Sequence, residues 1–422
     1  MDILQDLKDR GLVNQITDEE GLKKHLEENS VTLYCGFDPT ADSLHIGHLV
    51  PLLMLKRFQA AGHRPIALVG GGTGLIGDPS GRNTERQLNE ETTVKAWSEG
   101  LKAQIANVLN TNENEKDVIA ADNHEWLSSM TIIEFLRDIG KHFGVNYMLA
   151  KDSVESRIEN GISFTEFSYM ILQSLDFLNL YRDKGCTLQI GGSDQWGNIT
   201  AGLELIRRTS EEGEEAKAFG LTVPLITKAD GTKFGKTAGG AIWLDPEKTT
   251  PYEFYQFWIN TDDRDVIKFT KYFTFLSKEE VAELEKEVET QPEKRVAQTR
   301  LAEEMTKLIH GEKALKQAQK ISEALFSDDI KSLDGEEIEQ GFKDVPSYAL
   351  TENEKGLIDL LVDAKISSSK RQAREDIQNG AVYINDERQQ DLKYVVDDQD
   401  KIDGKFTIIR RGKKKYFLIR HQ

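Results

Sequence analysis

The sequence predicts an α/β protein: a doubly wound domain with a parallel sheet, then an α-helical domain and a small α+β module. In the first half, short apolar runs bounded by turn residues alternate with helical apolar spacing. This order indicates right-handed crossovers between parallel strands, as in Rossmann-like domains. From about residue 249 to 326 the spacing becomes helical throughout. After residue 352, two short helical patterns precede two strand patterns, which predicts the small mixed module.

The elements of the first domain can be placed one by one. Four segments rich in apolar residues are predicted as strands, at 31–37, 65–71, 117–123 and 186–192. The turn-forming stretch after the first strand is followed by a helix that closes at Gly62. Ligands of an open parallel sheet bind beyond the carboxyl ends of its strands. Three polar or Gly-rich segments fall there, GFDPT, GGTGLIGDPSGR and GGSDQWGN, so we expect the functional site at this edge.

Length and composition bound the class of protein. At about 150 residues per domain, 422 residues predict two or three domains. The two cysteines, Cys35 and Cys186, lie far apart, which excludes a disulfide framework and a Cys-based zinc site and indicates a reducing, cytoplasmic location. No apolar stretch approaches the ~20 residues of a membrane span, and the first residues lack the layout of a signal peptide. No membrane partner is expected.

Charge is distributed unevenly along the chain. The formal net charge is -18, so any contact with nucleic acid must come from a local basic patch. Residues 401–422 contain eight lysines and arginines against one acidic residue, Asp403. The acidic segment 327–351 has little apolar periodicity and is predicted to be a linker or a loosely packed connector. The predicted domains are therefore 1–222, 223–326 and, after this linker, 352–422.

Two glycine-rich motifs suggest nucleotide chemistry but fail on context. Gly72, Gly74 and Gly77 match G-x-G-x-x-G after a strand, yet the Asp-Pro-Ser-Gly turn that follows breaks the helix that a dinucleotide fingerprint requires. A hydride-transferring enzyme is therefore a minor alternative to a loop that approaches a ligand closely. Gly231 and Gly235 enclose three residues where a P-loop needs four. What remains is a loop whose lysines either reach a polyphosphate or are solvated.

His45, Gly47 and His48 stand at the start of the first long helix. Two imidazoles three residues apart, with no acidic or cysteine ligand nearby, do not make up a zinc site, so no protein-bound metal is predicted. A phosphate over this helix start would be bound by free amides, the helix dipole and imidazole donors together. The alternative is that the histidines are incidental, although Gly47 weakens a helix start unless something packs against it.

The order of two motifs makes a family recognisable. TADSLHIGH (40–48) resembles the HIGH signature of class I aminoacyl-tRNA synthetases, and KFGKT (233–237) resembles their KMSKS loop. The segments YCGFDPT, GDPSGR and GGSDQWGN narrow the resemblance to bacterial tyrosyl-tRNA synthetases, over essentially the whole chain. The chain departs from the usual pattern at Phe234 and Gly235, which replace an apolar residue and a serine, and at Arg82, where lysine is frequent.

The resemblance implies that the chain activates L-tyrosine with ATP and transfers it to tRNA(Tyr). Tyr169, Gln173 and Asp176 share one helical face amid apolar neighbours, where polar groups are costly to bury without partners. A partly exposed polar face is the alternative. By the resemblance, Asp176 accepts the phenol proton of tyrosine and Tyr34 hydrogen-bonds the same oxygen. The implied tyrosine-binding residues are Tyr34, Asp78, Tyr169, Gln173, Asp176 and Gln195.

The resemblance also implies residues that act on ATP. The two histidines would bind phosphate oxygens while the tyrosine carboxylate attacks the α-phosphorus, and the KFGKT loop would close over the pyrophosphate. The implied catalytic residues are His45, His48, Arg82, Arg86, Lys233, Lys236 and Thr237. The implied nucleotide-binding residues are Gly36, Asp38, Thr40, Gly47, Gly192 and Asp194. Magnesium would accompany ATP.

The C-terminal module is similar to a small RNA-binding domain shared by a ribosomal protein and pseudouridine synthases. Lys370, Arg371 and Arg374 share a helix face and are its predicted RNA-binding residues, with a solvated basic face as the alternative. The family implies a homodimer, for which the apolar stretch 131–149 is a candidate interface. Two other functions are weighed: a synthetase-like RNA-binding protein without catalysis, and a tryptophan enzyme, which would lack the pair of Tyr34 and Asp176.

Overall fold

The computed structural model describes residues 2–82, 84–109, 118–211, 216–232, 234–237, 240–327, 329–412 and 415–422. The chain divides into two compact units. Unit 1 consists of Met1–Lys248 and Thr261–Leu301, and unit 2 consists of Thr249–Asn260 and Ala302–Gln422. Among the described residues, no helix combines the length and the apolar character that crossing a membrane requires.

Strands and helices alternate through the first part of the chain, as the sequence predicts. The strands are β1 (Gln15–Ile16), β2 (Thr32–Phe37), β3 (Arg64–Val69), β4 (Ile119–Asp122), β5 (Cys186–Gly192), β6 (Phe219–Val223), β7 (Lys236–Thr237), β8 (Gly240–Ala241), β9 (Ser347–Leu350), β10 (Lys355–Gly356), β11 (Val382–Ile384), β12 (Glu387–Gln389), β13 (Val395–Val396), β14 (Phe406–Arg411) and β15 (Lys415–His421). The helices are α1 (Ile3–Asp9), α2 (Glu19–Glu28), α3 (Leu49–Ala60), α4 (Glu91–Leu109), α5 (His124–Leu127), α6 (Ile132–Glu134), α7 (Val145–Leu149), α8 (Asp152–Glu155), α9 (Phe164–Lys184), α10 (Trp196–Thr209), α11 (Pro251–Ile259), α12 (Asp263–Phe273), α13 (Lys278–Thr290), α14 (Val296–Ser327), α15 (Gly335–Gly341), α16 (Leu357–Asp363) and α17 (Lys370–Gln378). The run α14 is broken at Gly311, whose φ is 87°.

Unit 1 is built on a sheet in the order β1-β6-β5-β2-β3-β4. Strands β2 to β6 run parallel and β1 is antiparallel to β6. The four predicted strands correspond to β2, β3, β4 and β5, which confirms the doubly wound parallel sheet. The chain first adds β3 and β4 on one side of β2 and then adds β5 on its other side. The strand order therefore reverses between β2 and β5, and ligands bind at such a reversal.

Helix α9 presents the predicted polar face to the sheet. It begins after Ser163, whose side chain accepts the backbone N–H of Glu166, and it ends at Gly185, where φ is 62°. Its apolar residues pack into the core with Cys186 of β5 and Tyr34 of β2. Apolar anchoring on both sides holds the polar residues of α9 close to the carboxyl edge of β2.

Unit 2 contains the predicted C-terminal module. Its sheet has the order β12-β11-β14-β15-β9, and the two predicted helices are α16 and α17. The two predicted strands are β11 and β14, which pair with each other antiparallel. Leu360 of α16, Ile377 of α17 and Ile409 of β14 are fully buried in one core. The basic face of α17 therefore belongs to a helix that is packed against a buried core.

The structure differs from the predicted linker and domain boundaries. Within 327–351, α15 forms, and Ile330, Ile338 and Phe342 are buried in one cluster with Phe406 and Leu418 of the C-terminal module. The acidic composition conceals this packing, because it is produced by a few apolar side chains, most of which enter this core, while Leu350 enters the core of α16 and α17. The predicted helical domain 223–326 is also divided, since 261–301 belongs to unit 1 and 302–326 to unit 2.

Candidate active site

The most deeply buried of the predicted site residues are Tyr34 of β2 and Asp176 of α9. Tyr34 is 1% exposed, and its hydroxyl has no hydrogen-bond partner among the described residues. Burial, and then the charge of Asp176, raise the pKa of Tyr34 well above its usual value, so its hydroxyl stays a proton donor. Burial also raises the pKa of Asp176, but both of its oxygens accept N–H donors, which fits the ionised form. An unpaired hydroxyl beside a buried carboxylate is costly unless a polar ligand group joins them.

Trp126 and Asn123, to which the sequence assigns no role, hold the carboxylate of Asp176 in place. Trp126 Nε1 donates to Asp176 Oδ1 at 2.8 Å, and Asn123 Nδ2 donates to Asp176 Oδ2 at 3.0 Å. Both donors favour the ionised carboxylate and oppose the effect of burial on the pKa of Asp176. Asn123 follows β4 directly. Its position at the carboxyl end of a parallel strand is the one local signal that could have marked it.

Asn123 also connects Asp176 to Asp38. Its Nδ2 donates to Thr73 Oγ1 at 2.8 Å, and Thr73 Oγ1 donates to Asp38 Oδ1 at 2.7 Å. The hydroxyl of Tyr169 donates to Asp38 Oδ2 at 2.7 Å. Asp38, predicted as a nucleotide-binding residue, therefore has both oxygens engaged by neighbours in the tyrosine pocket. Burial raises the pKa of Asp38, and the two hydroxyl donors oppose the rise.

The other predicted tyrosine-binding residues form a second network. Gln195 Nε2 donates to Asp78 Oδ2 at 2.7 Å. Asn198 Nδ2 lies 3.1 Å from both Gln195 Oε1 and Gln173 Oε1 and donates to them. Asn198, the last residue of the GGSDQWGN segment, lies on α10 and has no role assigned from the sequence. Asn198 thus unites three of the predicted residues into one polar wall, whose carboxylate, Asp78, suits a cationic ligand group.

The two histidines form a reciprocal cap before α3. His45 Nδ1 accepts the backbone N–H of Gly47 at 3.0 Å, and His48 Nδ1 accepts the backbone N–H of His45 at 3.1 Å. Burial, and secondly the nearby His45, lower the pKa of His48 to about 3. His48 is therefore neutral near pH 7. Because its Nδ1 accepts, Nε2 carries the proton and is the donor that remains for a phosphate oxygen.

The predicted nucleotide-binding glycines differ in what they face. A Cβ on Gly47 would lie 2.7 Å from His45 Cε1, so the ring of His45 already requires this glycine. A Cβ on Gly36 would meet nothing within 4 Å among the described residues, which leaves open space at the end of β2. Gly192 ends β5, and a Cβ there would lie 2.5 Å from Asp194 Oδ1. Only the surroundings of Gly36 directly fit close approach of a ligand.

The second signature segment lies against the first. A Cβ on Gly235, whose φ is 85°, would lie 3.2 Å from Ile46 Cγ1, and Ile46 N donates to Ile242 O at 3.0 Å. Phe234 is 5% exposed and stacks on the ring of Phe273 with centroids 5.2 Å apart. The departures from the usual motif are explained by this packing and by the left-handed φ. Lys233 lies outside the described residues, and of Lys236 and Thr237 the structure describes the backbone, as β7.

A cavity between the loops that follow β2 and β3 is lined by the two predicted arginines. The residues that line it include Asp38, Thr40, Gly74, Gly77, Arg82 and Arg86. Burial, and then repulsion from Arg86, lower the pKa of Arg82, which still leaves it protonated. Asp194 lies on the turn after β5, and a Cβ on Gly81 of the arginine loop would come within 3.8 Å of its Oδ2. The cavity thus joins cationic groups to the carboxyl edge of the sheet.

The predicted RNA-binding residues occupy the exposed face of α17. Lys370 Nζ lies 2.7 Å from Asp359 Oδ1, and Arg371 Nε lies 3.2 Å from Glu375 Oε1. Arg374 is exposed one turn further along. Exposed ion pairs of this kind contribute little to stability, so all three cationic side chains are available to bind a polyanion.

Two family models match the chain. Residues 26–327 match the model described as "tRNA synthetases class I (W and Y)". Residues 337–419 match the "Tyrosine--tRNA ligase SYY-like C-terminal domain". The fold and the site therefore define a class I tRNA synthetase, and the chain belongs to the family of the tryptophan and tyrosine enzymes.

Individual relatives specify the branch of the family. The tyrosine--tRNA ligase of Oceanobacillus iheyensis is 71% identical over 422 residues, which cover 99% of each chain. Tyrosine--tRNA ligase 1 of Bacillus subtilis is 65% identical over 421 residues, 100% of this chain and 99% of the relative. A solved C-terminally truncated mitochondrial tyrosyl-tRNA synthetase of Aspergillus nidulans is 31% identical, with a TM-score of 0.69 over 77% of this chain and 94% of that chain. Within class I, the chain is a member of the tyrosine--tRNA ligases.

Proposed function

We propose that the chain uses ATP to activate L-tyrosine as tyrosyl-adenylate and then transfers the tyrosine to tRNA(Tyr). The observation that supports tyrosine as the substrate is the buried pair of Tyr34 and Asp176. A phenol placed there would donate to the carboxylate of Asp176 and accept from the hydroxyl of Tyr34. Phenylalanine would leave both groups without a partner, which costs free energy for each buried polar group.

The first half-reaction needs no general base. A carboxylate oxygen of tyrosine, already ionised, attacks the α-phosphorus of ATP, the bond to the bridging oxygen breaks, and pyrophosphate leaves. Catalysis then consists of positioning and of stabilising charge on the phosphate oxygens. The Nε2–H donors of His45 and His48 are proposed for the oxygens of the α-phosphate. In the second half-reaction, a terminal ribose hydroxyl of tRNA attacks the carbonyl carbon and AMP leaves.

The remaining roles are assigned by position and by the family motif. Arg82 and Arg86 are proposed to bind the departing pyrophosphate, together with Lys233, Lys236 and Thr237 of the second signature segment. Magnesium enters with ATP as part of the substrate. The α-ammonium of tyrosine is assigned to the wall containing Asp78. The residues proposed for the ribose and adenosine are Gly36, Asp38, Thr40, Gly47, Gly192 and Asp194.

Amino-acid-dependent exchange between ATP and pyrophosphate tests the proposal. The exchange is measured with tyrosine, phenylalanine and tryptophan in parallel, without tRNA. We expect exchange with tyrosine alone, because only a phenol satisfies both buried groups. Exchange with tryptophan would contradict the assignment of the pocket. If the folded protein catalyses the exchange with none of the three amino acids, the alternative of an RNA-binding protein without catalysis would be favoured. The similarity to tyrosine--tRNA ligases does not favour this alternative.

The basic face of α17 is proposed to bind tRNA. Replacing Lys370, Arg371 and Arg374 together with glutamine should weaken tRNA binding and make it less dependent on salt, with the slope of log affinity against log salt falling by roughly two to three. Filter binding at several salt concentrations measures the slope. Exchange between ATP and pyrophosphate in the same variant serves as the control and should not change. An unchanged slope would place the RNA contact elsewhere.

A homodimer in the cytoplasm completes the proposal. Within the predicted interface, Ile132, Ile133 and Val145 are 77%, 68% and 62% exposed. Three large apolar side chains so exposed on one short stretch are typical of a surface that another chain covers. Sedimentation equilibrium should give twice the mass of the chain, and the mass of a single chain at micromolar concentration would contradict the dimer.

A further inference from the structure

A buried ion pair lies behind Arg86, among residues with no role so far. Glu166 is on the first turn of α9 and Arg157 follows α8, with side chains 1% and 2% exposed. Glu166 Oε2 lies 2.9 Å from Arg157 Nη2. The other carboxylate oxygen, Glu166 Oε1, accepts the backbone N–H of Arg86 at 2.9 Å. Glu166 therefore joins a buried cation to the loop that carries Arg86.

Arg86 is held at two further points. Its Nε donates to the carbonyl oxygen of Asp78 at 3.1 Å. Its aliphatic stem packs on Gly77, where φ is 93° and a Cβ would lie 2.7 Å from Arg86 Cδ. No described residue between Leu75 and Glu91 belongs to a helix or strand. In this stretch the three contacts substitute for regular structure in fixing where the guanidinium points.

We propose that Arg157 and Glu166 are a positioning pair that fixes Arg86 at the phosphate side of the cavity, an inference that rests on the proposed function. A carboxylate accepts a backbone N–H about twice as strongly as a neutral group does. A buried carboxylate is costly without a counter-charge, and Arg157 supplies one at 2.9 Å. In the described part of the chain, Arg157 Nε and Nη1 have no hydrogen-bond partner and Nη2 donates to the carbonyl oxygen of Gly161 at 3.4 Å, so Glu166 is the counter-charge of this guanidinium.

The same carboxylate offsets repulsion within the loop. Arg82 and Arg86 are like charges lining one cavity, and the charges of Asp78 and then of Glu166 act on Arg82 in the direction opposite to that of Arg86. Without Glu166, the two guanidinium groups would separate more easily before a polyphosphate is bound. The pair thus keeps both arginines ready for a ligand that carries several negative charges.

The test replaces Glu166 with glutamine, which keeps the size of the side chain and removes its charge. Exchange between ATP and pyrophosphate is measured while ATP, pyrophosphate and tyrosine are varied in turn. We expect the KM values for ATP and pyrophosphate to rise about tenfold or more, while the KM for tyrosine stays at the wild-type value. A loss of general packing would instead raise the KM for tyrosine as well, and that result would overturn the proposal.

A double variant keeps the test valid if Glu166→Gln alone fails to fold. Combining Arg157→Met with Glu166→Gln leaves no unpaired buried charge, so the double variant should be less destabilised than Glu166→Gln alone. The charged acceptor for the backbone N–H of Arg86 is still missing in it. We expect the KM for ATP to remain raised. A KM for ATP that returns to the wild-type value would mean that the pair serves stability alone.

Glu337→Gln is the matched control. Glu337 is also buried, accepts one backbone N–H, from Asp334 at 2.9 Å, and pairs with Lys320 Nζ at 2.6 Å, but it lies in unit 2. Its replacement should leave the KM for ATP unchanged, and a rise equal to that of Glu166→Gln would overturn the proposal. Wild-type protein without exchange would contradict the proposed function itself. Wild-type exchange with an unchanged KM for ATP in both Glu166 variants would contradict only the positioning pair.

Discussion

Replacing His48 with alanine is expected to slow the formation of tyrosyl-adenylate by about 10²–10³-fold, the usual cost of removing one donor to a developing oxyanion. The Nε2–H of His48 is available for a phosphate oxygen because Nδ1 accepts the backbone N–H of His45 at 3.1 Å. Tyrosine affinity should hardly change, since the pocket for the phenol is formed by other residues. Single-turnover measurement of adenylate, with equilibrium dialysis of tyrosine, separates the two quantities.

The protonation state of His48 predicts how the rate and the free energy of unfolding depend on pH. Burial lowers the pKa of His48 to about 3, so it stays neutral and the rate should not follow its ionisation between pH 6 and 8. The unfolded chain binds a proton at this position below about pH 6.5 and the folded chain does not. The free energy of unfolding therefore decreases as the pH falls from about 6.5 toward 3, and His48→Ala should remove this contribution.

His124, at the start of α5 with its side chain 42% exposed, is a suitable control for the loss of an imidazole. His124→Ala should form adenylate at the wild-type rate. An adenylate burst of wild-type rate in His48→Ala would show that His48 does not contact the reacting phosphate.

Replacing Asp176 with asparagine should reduce kcat/KM for tyrosine by about 10²-fold or more, since a hydrogen bond to a charged group contributes about 1.5–3 kcal/mol and a buried N–H left unpaired costs a similar amount. The amide has one acceptor oxygen, whereas the carboxylate accepts from both Trp126 and Asn123. The kcat/KM for phenylalanine should change much less, so the ratio of kcat/KM for tyrosine to that for phenylalanine should fall. Exchange with each amino acid over a range of concentrations measures both values.

Tyr34→Phe is the matched control at the same end of the pocket. It removes one neutral hydroxyl, so we expect a smaller loss with tyrosine, about two- to tenfold, from a net contribution of about 0.5–1.5 kcal/mol. If Asp176→Asn lost no more than Tyr34→Phe, the carboxylate could not be the main acceptor of the phenol. Equal losses with tyrosine and phenylalanine would assign Asp176 to the fold instead of to specificity.

Local patterns predicted the elements and the edge of the sheet at which the site lies. Apolar runs and turn residues mark strands because burial and backbone geometry act over a few neighbouring residues. Helical periodicity placed Tyr169, Gln173 and Asp176 on one face, and two of these three, Tyr169 and Asp176, are buried at the site. The packing of the segment 327–351 shows the limit of such patterns, since the partners of its buried residues, among them Phe406 and Leu418, lie far along the chain.

By itself the sequence determined the doubly wound sheet, the two signature segments and their family, and the candidate residues of the pocket. Only the tertiary structure decided which polar atoms meet. Asn123 is 53 residues from Asp176 and Gln195 is 117 residues from Asp78, and no local pattern marks these pairs. The pairing of Glu166 with Arg157 is likewise decided only when the chain folds, because burial removes water from both charges and leaves each with the other as its counter-charge. Hydrogen bonds and ion pairs of a site depend on which distant segments exclude water together, and this is settled when the sheet and its helices pack.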